Sequence, residues 1–514
     1  MCGIAALLLT RLDHREALEF VSASLSAISH RGEPRFQSEC WSGRLGAAGA
    51  NRLAFTSGLV PQPARDEAGR YRVFLNGEIY SLHDPGTGLS DTQRLTDRIA
   101  ERGVVDALRP LEGMYAVLAI DLLEGCFYLA RDPFGIKPLY YSRTGHGILV
   151  GSELKALLRH PFVEEIRHVE AGSVLRFDAR SVNDVARIGL AADERGRSAD
   201  EMADDLRSAL SKSVRDQTRD GQTYGIYLSG GLDSSAVYAL ARTHGASIRP
   251  LVLGTAAASD VAAAKEVTSY FGDELITVDC PSESQLFSEI SETIRICESF
   301  EPNVVRQSAV SRVLARAAKE HGCRVALCGE GADELFGGYP EFWDKGIDYA
   351  STRASFLRDL PRTQLQRVDR CNMSQTIEVR VPFLCRQVAG LALAESDPRR
   401  FGNLDGTFAK RPLRDAMRSI LPASIVKRRK VVLSEGAGLR GNNYATGMFS
   451  DFFVTDHLGT TDAVSVGERN AWKLQNNEEE YYFRIFRAYG YDKYADARNR
   501  VTANSTATLE LIGP

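Results

Sequence analysis

The 514-residue sequence predicts two domains of different class: a strand-rich α+β domain over residues 1–190, then an α/β domain built on a doubly wound parallel sheet over residues 200–514. Three observations predict this. Strand-like alternation persists to about Phe177 behind one amphipathic helix. The polar, acidic stretch Ala191–Asp200 has the composition of a linker. From Ala199 onward, helical stripes alternate with short apolar runs, the pattern of strand–helix–strand units. Composition narrows the class further, since 44% apolar and 25% charged residues are ordinary for a globular enzyme, and a net charge of −4 argues against nucleic acid as the main partner. The apolar start, Met1 to Leu9, has no basic lead-in and meets Arg11, Asp13, His14, Arg15 and Glu16 at once, so it reads as neither signal peptide nor membrane span and predicts a cytoplasmic protein. Nine cysteines, an odd number, show no spacing typical of zinc binding or of a disulfide framework.

In chain order, the first chemical candidate is Cys2. Gly3 behind it is small enough for removal of Met1, which would leave a thiol and a free α-amine on one residue, and an amine with a pKa near 8 can serve as base for its own thiol. The helix carrying Leu18, Val21, Leu25 and Ile28 at three- and four-residue spacing follows, then His30-Arg-Gly32, Asn51-Arg-Leu53, Asn76-Gly-Glu-Ile-Tyr80 and Ser90-Asp-Thr92. Together with Cys2-Gly-Ile4, this set resembles the class II glutamine amidotransferase domain, an N-terminal-nucleophile αββα sandwich found at the front of asparagine synthetases. The resemblance implies that Cys2 attacks glutamine, that Arg52 pairs with its α-carboxylate, that Glu78 and Asp91 hold its α-ammonium, and that Asn76 and the main chain of Gly77 form the oxyanion hole. Asn76-Gly77 is also a hairpin-turn sequence. Ala130–Tyr141 and Gly151–Leu157 continue the family pattern and read as strand and loop structure at the domain interface, not as chemistry.

In the second domain, Met202, Leu206, Leu210 and Val214 stripe a helix, and the apolar run Tyr224–Leu228 leads into Ser229-Gly-Gly-Leu-Asp-Ser-Ser235. Strand, glycine turn and helix start together make an anion site: the glycines expose N–H groups, the serines add donors and the helix dipole favours negative charge. The loop has neither the Gly-Lys-Ser/Thr ending of a Walker loop nor a dinucleotide fingerprint. It resembles the pyrophosphate loop of the ATP pyrophosphatases. Strands are expected at Pro250–Leu253, Leu275–Val278 and Arg324–Cys328, the last closing the unit, and Gly329-Glu-Gly-Ala-Asp-Glu334 leaves that last strand as a second loop. Ligands of such sheets sit beyond the carboxyl ends of the strands.

The second loop, the cluster Glu378-Val-Arg-Val-Pro-Phe-Leu384, Lys410-Arg-Pro-Leu-Arg414, Arg428-Arg-Lys430 and Glu478–Arg484 all resemble the synthetase half of asparagine synthetases, an adenine nucleotide α-hydrolase-like fold. The resemblance implies ATP binding by Leu228, Ser229, Gly230, Gly231, Asp233, Ser234, Ser235, Leu253, Gly329 and Glu330. It implies Mg²⁺ on Asp233 and Asp333, charge neutralisation by Lys430, and Glu378 as a catalytic acid near the acceptor, with a structural pairing of Glu378 to Arg380 as the alternative. The sequence departs from the family at Glu33-Pro34, at Cys385, and at Phe300–Arg306, where Asn303 and Val304 replace two threonines near the acceptor.

The expected activity is therefore a glutamine-dependent carboxylate amidation. Cys2 releases ammonia, ATP–Mg²⁺ converts a carboxylate to an acyl-adenylate, and ammonia opens it, with AMP and pyrophosphate leaving; the family implies an internal ammonia channel. Aspartate is the default acceptor, against a tailoring role on another carboxylate in secondary-metabolite or polysaccharide synthesis. A ring-closing enzyme like the β-lactam synthetases is disfavoured because Cys2, Arg52, Asn76, Glu78 and Asp91 are all kept, and a regulatory homologue because Cys2, Asp233 and Lys430 are. Expected partners are small molecules, with no nucleic acid and no membrane, and a homodimer is compatible with the sequence.

Overall fold

A computed structural model describes residues 2–33, 38–53, 61–83, 88–255, 257–343, 347–395, 401, 409–441, 447–454 and 464–498. The chain divides into two compact units, Met1–Gly189 with Gly490–Arg500, and Leu190–Tyr489.

The first unit contains two six-stranded sheets. One includes β1 (Cys2–Leu8), β2 (Glu39–Gly43) and β3 (Gly46–Arg52). The other includes β4 (Ala64–Arg65), β5 (Tyr71–Glu78), β6 (Met114–Asp121) and β7 (Cys126–Arg131). β8 (Tyr140–Thr144), β9 (Gly147–Gly151) and β10 (Arg167–His168) complete the first sheet, and β11 (Ser173–Phe177) and β12 (Val182–Arg187) the second. The central strands are buried on both faces, so successive residues feed different cores. Phe74, Ala116, Leu118 and Ile120 meet Ile4, Ala6 and Leu8 of the opposite sheet. Their neighbours Val73, Leu75, Tyr115, Val117 and Ala119 pack instead against Leu95 and Ile99 of the helix Asp91–Arg102. The helix His14–Ala27, started by an Asp13–Glu16 capping box, covers the outer face of the first sheet through Val21 and Leu25. The order helix, sheet, sheet, helix is the expected αββα sandwich. The segment from Gly490 returns to this unit, where Ile166 bridges Tyr494 and the His168 ring lies 2.8 Å from the Asp496 carboxylate.

The second unit is organised by a five-stranded sheet in the order β15 (Ile276–Val278), β14 (Ser247–Leu253), β13 (Thr223–Tyr227), β16 (Val325–Leu327) and β17 (Glu378–Arg380). Every neighbouring pair is parallel. β16 does not close the sheet as expected: Glu378–Arg380 pairs with it residue for residue, Val325 opposite Glu378. Here a single apolar residue, Val379, stands between charged Glu378 and Arg380, unlike the mostly apolar β15 and β16, which is why the sequence shows only a motif there. Strand order reverses direction between β13 and β16, so the loops leaving these two strands flank the topological switch point, where a doubly wound sheet opens a crevice.

Candidate active sites

In the first unit the strands themselves assemble the site. Cys2 begins β1 and Arg52 ends β3, and the antiparallel register sets them directly opposite one another. Cys2 shares its parity with Ile4 and Ala6, and Asn76 shares its own with Phe74, so both point between the two sheets. They meet there: the Cys2 main-chain N–H donates to Asn76 Oδ1 at 3.1 Å. The Asn76 side chain is buried, and its Nδ2 has no hydrogen-bond partner among the described residues. A buried donor left open is costly unless a ligand completes it, which fits an oxyanion hole. Gly77 follows at φ +142°, and a Cβ there would lie 1.9 Å from the Met114 carbonyl oxygen, so only glycine fits.

Asp91 opens its helix behind the Ser90 cap and turns back to accept from the main-chain N–H of Ile79 at 3.2 Å and of Thr92 at 2.7 Å, which ties it beside Glu78. Burial raises the Asp91 carboxyl and the Cys2 thiol above their ordinary values. Arg52 Nη1 lies 3.5 Å from the Glu39 carboxylate. Gln62 is a site residue that sequence reasoning missed: it exchanges hydrogen bonds with the main chain of Leu75 and places Nε2 3.4 Å from Cys2 Sγ. Its sole sequence signal is a polar residue between two prolines. Arg31, in the His30-Arg-Gly32 motif, is a buried partner of Glu153 at 2.5 Å and braces the same strand ends. The stretch from Ala130 is structural: Asp132 accepts from the N–H groups of Tyr115, Phe134, Ile136 and Lys137, and Arg131 donates to three carbonyls.

In the second unit the switch point holds a cleft of about 180 Å³. Ser229, Gly231, Asp233 and Ser234 line it from the first loop, and Gly329, Glu330 and Asp333 from the second. Gly230 stands at φ +66°, and a Cβ on it would lie 2.5 Å from the Ala263 main chain, so the loop can pass that close only as glycine. The helix Leu232–Thr243 then starts at Gly231 with its first-turn N–H groups directed at the loop. Leu228, Gly230, Ser235 and Leu253 stand behind the lining, Ser235 with a buried hydroxyl that has no partner among the described residues.

Charge in the cleft alternates. Asp233 Oδ2 lies 2.5 Å from Lys410 Nζ, which lies 2.6 Å from Asp333 Oδ1, and Asp333 Oδ2 pairs with Lys430. Burial raises the Asp233 carboxyl, whereas Lys410 and Lys430 overcome burial and hold Asp333 well below the usual carboxylate range. Burial would lower Lys430, but Asp333 and Asp233 raise it and keep it charged. Arg428 donates to the Ser229 carbonyl at 2.8 Å and pairs with Asp260 at 2.8 Å, bracing the Ser229 loop. Lys410 and Arg428 lie in motifs visible in the sequence to which no role could be given.

Glu378 is not brought to the cleft. It is buried at the start of β17, the end of the sheet opposite the ligand loops, with Oε1 accepting from Arg380 Nε at 2.7 Å. Asn303 is exposed and Val304 buried in the first turn of the helix Pro302–Glu320, and neither lines the cleft; Arg306 donates through Nε and Nη2 to the two carboxylate oxygens of Glu478.

Residues 1–186 match the glutamine amidotransferase domain family, and residues 205–356 and 348–445 match the asparagine synthase family. The chain belongs to the glutamine-hydrolysing asparagine synthetase family. It is 27% identical over 472 residues to asparagine synthetase B of Escherichia coli, covering 85% of this chain and 83% of that protein. It is 26% identical over 527 residues to an asparagine synthetase of Asparagus officinalis, covering 94% and 85%. A probable asparagine synthetase of Acanthamoeba polyphaga mimivirus is 26% identical over 477 residues, covering 86% of each chain.

Within this asparagine synthetase family member, Asp233 and Asp333 fit a hydrated divalent cation. Asp233 Oδ1 is buried with no hydrogen-bond partner among the described residues, and Mg²⁺ prefers one or two carboxylates with the remaining positions filled by water and phosphate oxygens. No group of three or more His, Cys, Asp or Glu side chains able to cage a metal occurs among the described residues. No helix among them is long and apolar enough to cross a membrane.

Proposed function

We propose that the protein makes an amide from glutamine, ATP and a carboxylate, with aspartate the first acceptor and asparagine the product. The observation that carries the glutaminase half is the pairing of Cys2 with Asn76, whose carboxamide nitrogen is buried with no hydrogen-bond partner among the described residues. With Met1 removed, the α-amine of Cys2 takes the thiol proton and Sγ attacks the glutamine carboxamide. Asn76 Nδ2 and the Gly77 N–H receive the oxyanion, Arg52 orients the α-carboxylate, and Glu78 and Asp91 take the α-ammonium. Ammonia leaves, and water releases glutamate from the thioester. Met1 itself lies outside the described residues.

In the synthetase unit the Ser229 loop and helix N-terminus cradle the ATP phosphates, and Lys410 and Lys430 offset the charge that grows as the acceptor carboxylate attacks the α-phosphorus and pyrophosphate departs. Mg²⁺ held by Asp233 and Asp333 would supply further charge neutralisation on the phosphates. Ammonia then displaces AMP from the acyl-adenylate.

One observation favours a second reading, amidation of a different carboxylate: Asn303 is exposed, Val304 is buried and Arg306 is engaged by Glu478, so this segment presents no open cation or hydroxyl pair to a small amino acid. Steady-state kinetics with aspartate, glutamine and ATP test both readings. Asparagine formed efficiently at millimolar aspartate supports the first; negligible turnover beside an intact glutaminase supports the second.

A further inference from the structure

The cleft of the second unit contains an arrangement that the reaction alone does not require. Lys410 is buried and sits between the two carboxylates proposed to hold Mg²⁺, 2.5 Å from Asp233 and 2.6 Å from Asp333. Its backbone is in the left-handed region at φ +63°, immediately before the helix Arg411–Met417. A non-glycine residue there is strained and persists only where the surroundings over-determine it. Gly338 gives a third, independent sign of a built position: a Cβ on it would lie 1.8 Å from Asp333 Oδ1 and 2.4 Å from Lys410 Cε, so the absence of a side chain is what admits the ion pair.

With Lys430 on the other oxygen of Asp333, two carboxylates and two ammonium groups form a chain that is neutral by itself. A divalent cation arriving alone would have to enter beside a fixed ammonium and displace it with nothing for that ammonium to bind. A nucleotide changes this, because its phosphates can accept the displaced ammonium.

We propose that Lys410 acts as the resident counter-cation of Asp233 and Asp333, keeping the pair together in the free protein and barring a divalent cation until a polyphosphate arrives with it. The site thus takes metal and nucleotide together, not metal first. This rests on the cleft being the ATP site.

Mn²⁺ binding followed by electron paramagnetic resonance tests it, first with the metal alone and then with the non-hydrolysable analogue α,β-methylene-ATP. The unsubstituted protein should leave Mn²⁺ free without nucleotide and bind one ion with it, the bound ion being lost in Asp233→Asn. Lys410→Met should bind Mn²⁺ without nucleotide at least about tenfold more tightly than the unsubstituted protein, the least expected on removing a positive charge a few ångströms from the ion. Lys410→Arg, which restores the charge, should exclude the metal again, a rescue that a purely structural role would not produce. Unsubstituted protein that binds Mn²⁺ alone at the Asp233 site as tightly as with the analogue overturns the proposal, whether or not Lys410→Met folds. The metal-alone arm reads the ammonium bridge independently of the nucleotide, whereas failure of the analogue to bind would instead refute the ATP assignment of the cleft.

Discussion

Asn76 accepts from the main-chain N–H of Cys2 through its carboxamide oxygen, and its carboxamide nitrogen is buried with no hydrogen-bond partner among the described residues. The two residues are 74 positions apart in sequence and meet because each occupies an inward position, Cys2 at the start of β1 and Asn76 near the end of β5. One side chain can therefore both fix the nucleophile and receive the oxyanion. Asn76→Ala should lower glutamine hydrolysis by about 10²–10³-fold, the loss typical of one oxyanion donor. Cys2→Ala should abolish it. Amide formation driven by ammonium salts should survive both changes, and its loss in Cys2→Ala would count against separate sites.

Gly77→Ala should act through the backbone. The new Cβ collides with the Met114 carbonyl, and φ +142° is unfavourable for any side chain. The expected loss is about 1–3 kcal/mol of stability in the first unit, read as an earlier thermal transition, with glutaminase activity reduced alongside it.

Lys430→Ala and Asp233→Asn should each reduce acceptor-dependent pyrophosphate release by at least about 10²-fold while leaving glutamine hydrolysis unchanged. A phosphate product of ADP in place of AMP would refute attack at the α-phosphorus.

Arg306 and Glu478 form a buried pair that Tyr482 also joins, its hydroxyl donating to Glu478 at 2.8 Å. Glu478→Ala removes the carboxylate from a buried guanidinium and should cost about 3–5 kcal/mol in chemical denaturation. The double change Arg306→Met with Glu478→Leu should cost less than the single one, because no buried charge is left without its counter-ion.

Burial, with Asp333 and Glu330 alongside, pushes the Glu334 carboxyl from an ordinary 4.5 up to about 7, and Tyr339 donates to it at 2.7 Å. The folded protein thus holds a proton that the unfolded chain releases. The resulting stabilisation is fully present below about pH 4.5 and is lost as pH rises through about 7. Glu334→Gln, which stays uncharged, should flatten that decline; denaturation midpoints at about pH 5 and about pH 8 in both proteins measure it. An equal slope in the variant would assign the decline to another group.

The chemistry-bearing loops were legible because their signals are local. A glycine turn between an apolar strand and a helix start announces an anion site, and inward positions alternate along β1 and β5 whatever the sheets later do. β17 was not legible as a strand, since charged Glu378 and Arg380 flank its one apolar residue, and without it the sequence could not reveal that Glu378 opens a strand at the far end of the sheet from the ligand loops.

The sequence by itself determined the two-part organisation, the αββα and doubly wound classes, the motifs and the family. Which side chains meet was decided only by the tertiary structure. Lys410 lies 177 residues beyond Asp233, and Gln62 lies 60 residues beyond Cys2. Their contacts depend on sheet register, on a left-handed backbone position at Lys410 and on the space left by Gly338. Such contacts leave no local pattern, because a hydrogen bond or ion pair depends on distance and direction in space, whereas sequence periodicity fixes only the face of an element on which a residue stands.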